Sequence, residues 1–436
     1  MKPDRPSKTG SNWLTAVVAN QKGEIFELDG YAAVGMSGNR FVPLKKDQSV
    51  SIPYGSELMF LPHRTPILYA IQKQQCVSLG RNPYDVSKKI FPVAAFNSPG
   101  YIITHNSAYE DNPEAAPLPL FSYGAVGWFD GGFRSAVLQV DPERRQDLRL
   151  MPPEKVEAGI QRMRQKLPNN RLSHHLESCA LTYGCPAGKN FFLGRYEAPL
   201  PTATTCNADC LGCLSLQKQP GISCSQERIA FAPTPEEIAG VALVHIHDVQ
   251  QAIVSFGQGC EGEPLLAADV ITPAIQLIRK KTSKGTIHIN TNGSLPGVIR
   301  QLIGAGLDSV RISINSFREP WYQAYFRPKG YNFKDVIKTI RSCLENKVYV
   351  SINYLNMPGV IDSPEEADVL VNFLRQCPIQ RIQWRNLNYD PIRYWTAMQS
   401  AASSGEPIGI RHLLTHIRTL FPDLSFGYFN PPKELW

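Results

Sequence analysis

The sequence predicts an α/β fold: repeated strand–helix units form a parallel sheet, preceded by a β-rich N-terminal domain and followed by a short C-terminal extension. Two observations predict it. Short apolar or alternating runs between turn residues fill positions 13 to about 140, and from residue 196 apolar strands alternate with periodic helices. The predicted divisions are a tail at 1–12, a β-rich domain of unassigned role at 13–195, an α/β domain at 196–390 and an extension at 391–436.

Composition and charge narrow the class of protein. The chain has 436 residues, 43% of them hydrophobic, and 45 Lys and Arg against 38 Asp and Glu, a formal net charge of +7. This is a globular composition. No apolar run approaches the ~18 residues of a membrane helix, and the first residues lack the apolar segment of a secretory signal. We therefore expect a cytoplasmic protein without a membrane partner; the charge permits an anionic partner but does not require one.

The β-rich region consists of short strand-like runs joined by turns. They are WLTAVVA (13–19), LMFL (58–61), PILYAI (66–71), FPVAAF (91–96) and SAVLQV (135–140). One helix is predicted after them, because Pro152 and Pro153 can open a helix and Val156, Ile160 and Met163 then share one face.

The α/β region contains six predicted strands. They lie near 199–205 and at 252–256, 286–290, 309–313, 348–354 and 379–384, and the extension adds a helix at about 407–420 and a strand at 424–429. Thr234 and Ser363 each precede Pro-Glu-Glu, the pattern of a helix capping box. Repeated strand–helix units imply a parallel sheet, either open and doubly wound or closed as a barrel.

The strongest chemical signal is a triplet of cysteines, Cys206, Cys210 and Cys213, in C-x₃-C-x₂-C spacing. The triplet lies in a loop after a predicted strand. Thiolates ligate iron–sulfur clusters, and three thiolates on four irons leave one iron open to a small molecule. The competing interpretation is half of a zinc site completed by a distant ligand such as Cys224, which would make the chain a zinc- or cluster-binding interaction protein.

The segment TTCNADCLGC resembles the signature of the radical S-adenosylmethionine (radical SAM) superfamily. The resemblance covers roughly residues 196–390 and implies a partial (β/α)₆ barrel. It also implies that Cys206, Cys210 and Cys213 hold a [4Fe-4S] cluster that reductively cleaves SAM to a 5′-deoxyadenosyl radical, which abstracts hydrogen from the substrate. An electron donor such as flavodoxin or ferredoxin would be the redox partner. One departure is Gly212, where the family often has an aromatic residue near the adenine.

A glycine-rich loop follows the strand at 252–256 and supports a second interpretation. Gly257, Gly259 and Gly262 fit G-x-G-x-x-G, the fingerprint of an NAD- or FAD-dependent oxidoreductase. That fingerprint belongs on the first strand–helix turn of a domain and requires an acid at the end of the next strand. The next strand ends instead in Asn-Thr-Asn-Gly, and the cysteine strand comes earlier, so we favour the radical SAM interpretation.

The resemblance also indicates which residues would contact SAM. Gly262-Glu263-Pro264 is similar to the family's turn that binds the SAM ammonium, and Gly259 lies in the same loop. Asn292 follows the third strand in a Thr-Asn-Gly turn like that of the family. Candidates on the fourth strand are Ser313 and Asn315 for the ribose and Arg311 for a carboxylate.

Three further cysteines have no assigned role. Cys179 and Cys185 precede the predicted barrel and are either ligands of a second metal centre or packed thiols. Cys260, within the glycine-rich loop, is a weak candidate for a catalytic thiol. The sequence leaves the substrate open among a small molecule, a peptide and RNA.

Overall fold

A computed structural model describes residues 12–436, so the predicted tail lies outside the described residues apart from Asn12. The chain forms two compact units. The first contains the described residues up to Leu118 together with Ser122–Leu138. The second contains Pro119–Phe121 and Gln139–Trp436.

The first unit is built from short antiparallel strands, as the sequence predicts. Its strands are β1 (Thr15–Ala19), β2 (Ile25–Ala32), β3 (Val34–Ser37), β4 (Arg40–Pro43), β5 (Val50–Ser51), β6 (Glu57–Phe60), β7 (Arg64–Ala70), β8 (Gln75–Ser78), β9 (Arg81–Asn82), β10 (Asp85–Lys89), β11 (Phe91–Phe96), β12 (Tyr101–Ile103), β13 (Asn106–Ser107), β14 (Tyr109–Asp111), β15 (Val126–Phe129), β16 (Gly132–Ser135) and β17 (Val137–Gln139). The central strand β1 pairs with β2, β11 and β15. Its alternate residues Ala16 and Val18 pack on Leu28 and Leu68 in one apolar cluster.

The second unit alternates strands and helices after three initial helices. Its elements are α1 (Pro153–Lys166), α2 (Arg171–Leu181), α3 (Pro186–Phe192), β18 (Glu197–Pro199), α4 (Pro235–Asp248), β19 (Ile253–Phe256), α5 (Ala268–Lys281), β20 (Thr286–Thr291), α6 (Pro296–Ala305), β21 (Ser309–Ile314), α7 (Glu319–Phe326), α8 (Phe333–Glu345), β22 (Tyr349–Asn356), α9 (Pro364–Gln376), β23 (Arg381–Asn386), α10 (Pro391–Ala401), α11 (Ile410–Leu420) and β24 (Ser425–Gly427).

The strands of this unit form one parallel sheet in chain order, from β18 to β24. Every adjacent pair is parallel. Strands β19 and β20 are buried along their whole length, as expected for a parallel sheet covered on both faces. The predicted order and parallel direction of β19 to β23 are confirmed. The strand predicted at 424–429 in the extension is β24, and it joins the same sheet as a seventh strand. The carboxyl ends of all seven strands therefore lie on one rim.

The division between the two units falls near residue 138, whereas the sequence places the domain boundary at 195. Helices α1–α3 belong with the parallel sheet. Asn170, the N-cap of α2, donates from Nδ2 to the carbonyl of Glu237 in α4 at 2.8 Å. Gly159 in α1 allows close approach to α3, because a Cβ there would lie 2.0 Å from the carbonyl oxygen of Phe192.

Two caps were predicted, and one has a different geometry. Thr234 and Glu237 form the reciprocal capping box that opens α4. Ser363 caps α9, but Glu366, predicted to complete its box, turns into the core and accepts hydrogen bonds from Ser316, Tyr354 and the Phe317 amide. Across residues 12–436, no helix is both long and apolar enough to cross a membrane.

Candidate active site

A cavity of about 420 Å³ lies at the carboxyl rim of the parallel sheet. It brings together most of the site residues that the sequence predicts: Cys206, Cys210, Cys213, Gly259, Gly262, Glu263, Asn292, Arg311 and Ser313. Asn315 lies elsewhere. It is buried, and its Nδ2 donates to the carbonyl of Trp321 at 3.0 Å and to the hydroxyl of Tyr394 at 3.1 Å. The structure therefore gives Asn315 a structural role at the end of β21.

The cysteine loop is held in place by its neighbours. Asn207 accepts a hydrogen bond from Asn292 Nδ2 at 2.8 Å and donates to Ser294 Oγ at 3.0 Å, which ties the loop to the turn after β20. The amides of Asp209 and Leu211 donate to carbonyls at the end of α7. The loop therefore has a defined conformation before any ligand binds. Sequence reasoning missed Asn207, because its partners lie more than 80 residues away.

The three thiols face the cavity and differ in their surroundings. Burial raises the pKa of Cys206 to about 11 and that of Cys210 well above its ordinary value. Arg228 lies beside the third cysteine, with Nη2 at 3.7 Å from Cys213 Sγ and Nε donating to Ser215. Burial thus disfavours the thiolate forms of Cys206 and Cys210, and the positive charge of a metal ligated by them would favour those forms.

Glu261 fixes the conformation of the glycine-rich loop. One carboxylate oxygen accepts from the amides of Gly257 and Gln258, both at 2.6 Å. The other accepts from the amides of Thr202 and Ala203 at 2.8 and 2.9 Å. Burial raises the pKa of Glu261, and these four amides oppose that shift by stabilising the anion. The side chain thus links the backbone at Thr202 and Ala203 to the glycine-rich loop through hydrogen bonds. The local sequence did not reveal this role.

The glycines of this loop allow close contact between backbones. Gly257 has a φ of +79°, and a Cβ there would lie 1.8 Å from the carbonyl oxygen of Asn290. A Cβ on Gly262 would lie 1.8 Å from the carbonyl oxygen of Thr205, next to the first cysteine. The amide of Gly262 donates to Ala203 at 2.7 Å. The motif therefore packs the loop against its neighbours, in addition to lining the cavity.

Glu263 is a buried carboxylate at the wall of the cavity. It accepts hydrogen bonds from the hydroxyl of Thr291 and from the amides of Asn292 and Leu265, at 2.8 and 3.1 Å for the amides. Burial nevertheless raises its pKa to about 7. No cationic side chain forms an ion pair with it within the described residues. A cationic ligand in the cavity would favour its ionised form.

Arginines from several elements supply positive charge to the same cavity. Arg311 on β21 donates from Nη1 to Gln383 at 2.7 Å, and burial together with Arg385 lowers its pKa to about 9. The Nε atoms of Arg311, Arg385 and Arg145 are buried without a hydrogen-bond partner in the described part of the chain. Each of these arginines therefore keeps a donor for a ligand.

The sequence did not single out Arg145, Arg385 or Asn353. Asn353 on β22 lies beside Ser313 in the sheet register, and Gln383 on β23 lies beside Asn353. Arg385 is two residues after Gln383 and shares its face of the strand. The signal that could have found Asn353 and Arg385 is this register, followed from Ser313 across two further strands. Arg145 lies before α1, outside the sheet, and no such signal points to it.

The comparisons with known proteins bear on the same segment. Residues 200–371 match the family model of the radical SAM superfamily. The chain contains a radical SAM domain. The match confirms the predicted superfamily, together with the [4Fe-4S] cluster and SAM that the resemblance implies. The parallel sheet confirms the fold class predicted from the repeated strand–helix units. The match favours this interpretation over an NAD- or FAD-dependent oxidoreductase and over a zinc-binding interaction protein.

Two curated proteins are similar to this chain. The first is named "Probable GTP 3′,8-cyclase", from Thermoplasma volcanium, and is 35% identical over 156 residues, which are 35% of this chain and 42% of that protein. The second is molybdenum cofactor biosynthesis protein 1 of Bos taurus, 28% identical over 238 residues, 53% of this chain and 34% of that protein. This chain thus spans less than half the length of either relative.

Solved structures also match the chain. The crystal structure of methylornithine synthase is 12% identical in sequence and aligns with a TM-score of 0.38. The alignment covers 65% of this chain and 78% of the methylornithine synthase chain.

The cavity of the radical SAM domain has suitable groups for both cofactors. Three thiols are the donor set of a cluster with one open iron. SAM carries an ammonium and a carboxylate, and the cavity offers the buried carboxylate of Glu263 and the unpartnered Nε of Arg311. Space at Gly212 is tight, because a Cβ there would lie 3.1 Å from the carbonyl oxygen of Asn388 and 3.2 Å from the hydroxyl of Tyr325.

The remaining cysteines lie outside the lining of the cavity. Cys260 is buried in the glycine-rich loop, near Cys179 and His175 of α2. Cys185 is the N-cap of α3, and its amide donates to the carbonyl of Cys179 at 2.9 Å. Cys260 therefore faces α2, and the structure gives no support to a role for it as a catalytic thiol at the cavity.

Proposed function

We propose that this protein is a radical SAM enzyme that acts on a substrate carrying an anionic group. The observation that supports it is the single cavity at the strand ends, which is shared by the cysteine triplet, the glycine-rich loop and the polar residues of β20, β21 and β22. A zinc-binding interaction module has no need of this convergence. In α/β folds with parallel strands, ligands bind where the carboxyl ends of the strands meet.

Each group of residues has a role in this proposal. Cys206, Cys210 and Cys213 hold the cluster. When bound, the cluster supplies the electron that breaks a carbon–sulfur bond of SAM and so gives the radical that removes hydrogen from the substrate. Glu263 accepts from the SAM ammonium, and Arg311 donates to its carboxylate, since charge-assisted hydrogen bonds are the strong ones.

Other polar residues complete the SAM pocket in the same proposal. Asn292 and Ser313 bind through hydrogen bonds, Ser313 at the ribose. Gly259 and Gly262 let the backbone approach SAM closely. Asn315 is not included, because it does not line the cavity.

The substrate class follows from the arginines that SAM does not require. Arg145 and Arg385 each keep a buried Nε donor without a partner among the described residues. Arginine binds carboxylates and phosphates through paired N–H groups. One curated relative is named for GTP, a polyanion, which agrees with this class. A flavodoxin or ferredoxin as reductant and a cytoplasmic location remain part of the proposal.

The first experiment tests the cluster and the cleavage of SAM. Protein purified without oxygen should contain about four irons and four sulfides per chain, and with dithionite and SAM it should form 5′-deoxyadenosine. Replacing Cys206, Cys210 and Cys213 by Ala should abolish both. Cys76→Ala, at an exposed position of the first unit, is the matched control and should change neither. A cluster-loaded wild type that forms no 5′-deoxyadenosine would refute the proposal.

The second experiment tests the anionic substrate. GTP and inorganic tripolyphosphate are titrated into the cluster-loaded protein with SAM present. At least one should bind to the wild type, and Arg385→Gln should weaken binding by about 10- to 150-fold, the loss of a hydrogen bond to a charged group. Arg375→Gln, on the exposed face of α9, is the control. If neither anion binds, or if both arginine variants bind equally well, the substrate class is wrong.

A further inference from the structure

A second cluster of metal-ligating side chains lies outside the cavity. His175 and Cys179 are four residues apart on α2 and therefore lie on one face of the helix. Cys260 reaches the same point from the glycine-rich loop after β19. The ligand atoms of the three residues lie within 4.8 Å of one another, and Cys179 and Cys260 are both buried.

One distance in the cluster, between Cys179 and His175, matches the spacing of two ligands on a tetrahedral ion. Zinc binds thiolate sulfur at about 2.3 Å and imidazole nitrogen at about 2.0–2.1 Å, so a tetrahedral site places sulfur and nitrogen roughly 3.6 Å apart. Cys179 Sγ and His175 Nε2 are 3.5 Å apart. The thiolates of a four-iron cluster each bind a different iron and are spread around it. Convergence on one point therefore favours a mononuclear ion.

Cys185 supplies the fourth ligand in this proposal, although its Sγ is not among the three atoms that converge within 4.8 Å. Cys185 lies at the N-terminus of α3, and the hydrogen bond from its amide to the carbonyl of Cys179 holds the two residues together. Three cysteines and one histidine form a common structural zinc site. Thiolate and imidazole ligands also select zinc over the hard cations magnesium and calcium.

We propose that His175, Cys179, Cys185 and Cys260 bind one structural Zn²⁺ ion. The ion would join α2 to the glycine-rich loop at Cys260. The neighbours of Cys260 in that loop, Gly259 and Glu261, line the cavity, so the zinc ion would fix the wall of the SAM site from outside. It takes no part in the reaction itself.

Metal analysis of the full-length protein tests the site. Wild type purified from zinc-replete medium should contain about one zinc per chain in addition to the iron of the cluster. The double variant Cys179→Ser/Cys260→Ser should lose at least nine-tenths of that zinc. The variant with Ala at Cys206, Cys210 and Cys213 should keep its zinc while losing its iron, so this test stands even if the proposed function fails.

A cobalt-substituted wild type avoids dependence on the folding of any variant. Co²⁺ in a site of three thiolates and one imidazole should give intense visible bands and thiolate-to-metal charge transfer. Absence of zinc from the wild type, a disulfide between Cys179 and Cys260 in unreduced protein, or iron in place of zinc at this site would each overturn the proposal. Retention of zinc by the double variant would do the same.

Discussion

Glu261 provides a quantitative test of how the glycine-rich loop is held. Glu261→Gln keeps the shape of the side chain but replaces one carboxylate oxygen by an NH₂ group. Each carboxylate oxygen accepts from two backbone amides, at Gly257 and Gln258 on one side and at Thr202 and Ala203 on the other. Whichever way the new amide turns, two buried N–H groups lose their acceptor and face another donor.

The size of the effect follows from those two amides. A buried donor left without a partner costs about 1–3 kcal/mol, so the change should weaken the loop contacts by about 2–6 kcal/mol. Since about 1.4 kcal/mol is a factor of ten, the affected amides should exchange with deuterium roughly 30-fold to 10⁴-fold faster. SAM affinity should fall too, because the loop lines the SAM cavity.

Hydrogen–deuterium exchange with peptide-level detection measures this directly. Peptides that cover 202–203 and 257–258 should show the acceleration in at least one of the two segments. Glu157→Gln, at an exposed position of α1, is the matched control and should leave both unchanged. Wild-type exchange in both segments of Glu261→Gln would show that the carboxylate does not hold the loop.

Three further predictions test other parts of the domain. Gly262→Ala should lower SAM affinity and iron content, because its Cβ would meet the carbonyl of Thr205 at 1.8 Å, whereas Gly304→Ala, an open position on α6, should stabilise the protein by about 0.5–1 kcal/mol. Glu263→Ala should lower SAM affinity by about 10- to 150-fold, and Ser313→Ala by no more than about tenfold, with iron unchanged in both. Glu366→Gln should reduce the change with pH of the free energy of unfolding, measured by urea denaturation.

The sign of the last prediction follows from the raised pKa. Burial raises the pKa of Glu366 to about 7 from an ordinary 4.5, so the folded state binds the proton more tightly than the unfolded chain. Stability should therefore fall as pH rises from about 4.5 to 7, by about 3 kcal/mol for this group. Cluster-free wild type should lose that amount relative to Glu366→Gln between pH 5 and pH 8.

Each of these three predictions has a contradicting result. Equal losses of stability with pH in wild type and Glu366→Gln would mean that Glu366 does not titrate in this range. Equal SAM affinities for Glu263→Ala and Ser313→Ala would remove Glu263 from the ammonium site. A Gly262→Ala protein with full iron content and SAM affinity would show that the loop can move away from Thr205.

The parallel sheet could be predicted because its strands are short apolar runs buried on both faces. Strand β19 needed no tertiary information, since a continuous apolar run bounded by turn residues already indicates a buried strand. Strand β20 alternates apolar and polar residues, which also indicates a strand. Helices α2 and α10 were missed. Each begins at a side chain that caps it, Asn170 or Asp390, and α2 has a helical apolar period at Leu172, Leu176 and Ala180 that the sequence prediction did not use.

The site was predicted only where a local motif carries it. The cysteine spacing and the turn at Gly262-Glu263 are contiguous, so both are visible in sequence. Glu261 and Arg385 are not, because their roles depend on partners brought close by the fold. The four amides that bind Glu261 include two at positions 58 and 59 residues away.

Asn430 joins the first strand of the sheet to the sixth at the cavity, and this affects the order of folding. Its Nδ2 donates to Glu197 on β18 at 2.9 Å, and its Oδ1 accepts from Gln383 on β23 at 2.8 Å. The first contact spans 233 residues, whereas each strand of the sheet pairs with the next strand in the chain. Because closing so long a loop costs the most entropy before any contact rewards it, this seam forms after the strand–helix units between its ends. We therefore expect the side of the cavity formed by Glu197, Gln383 and Asn430 to be completed late in folding, after the strands that carry the other lining residues.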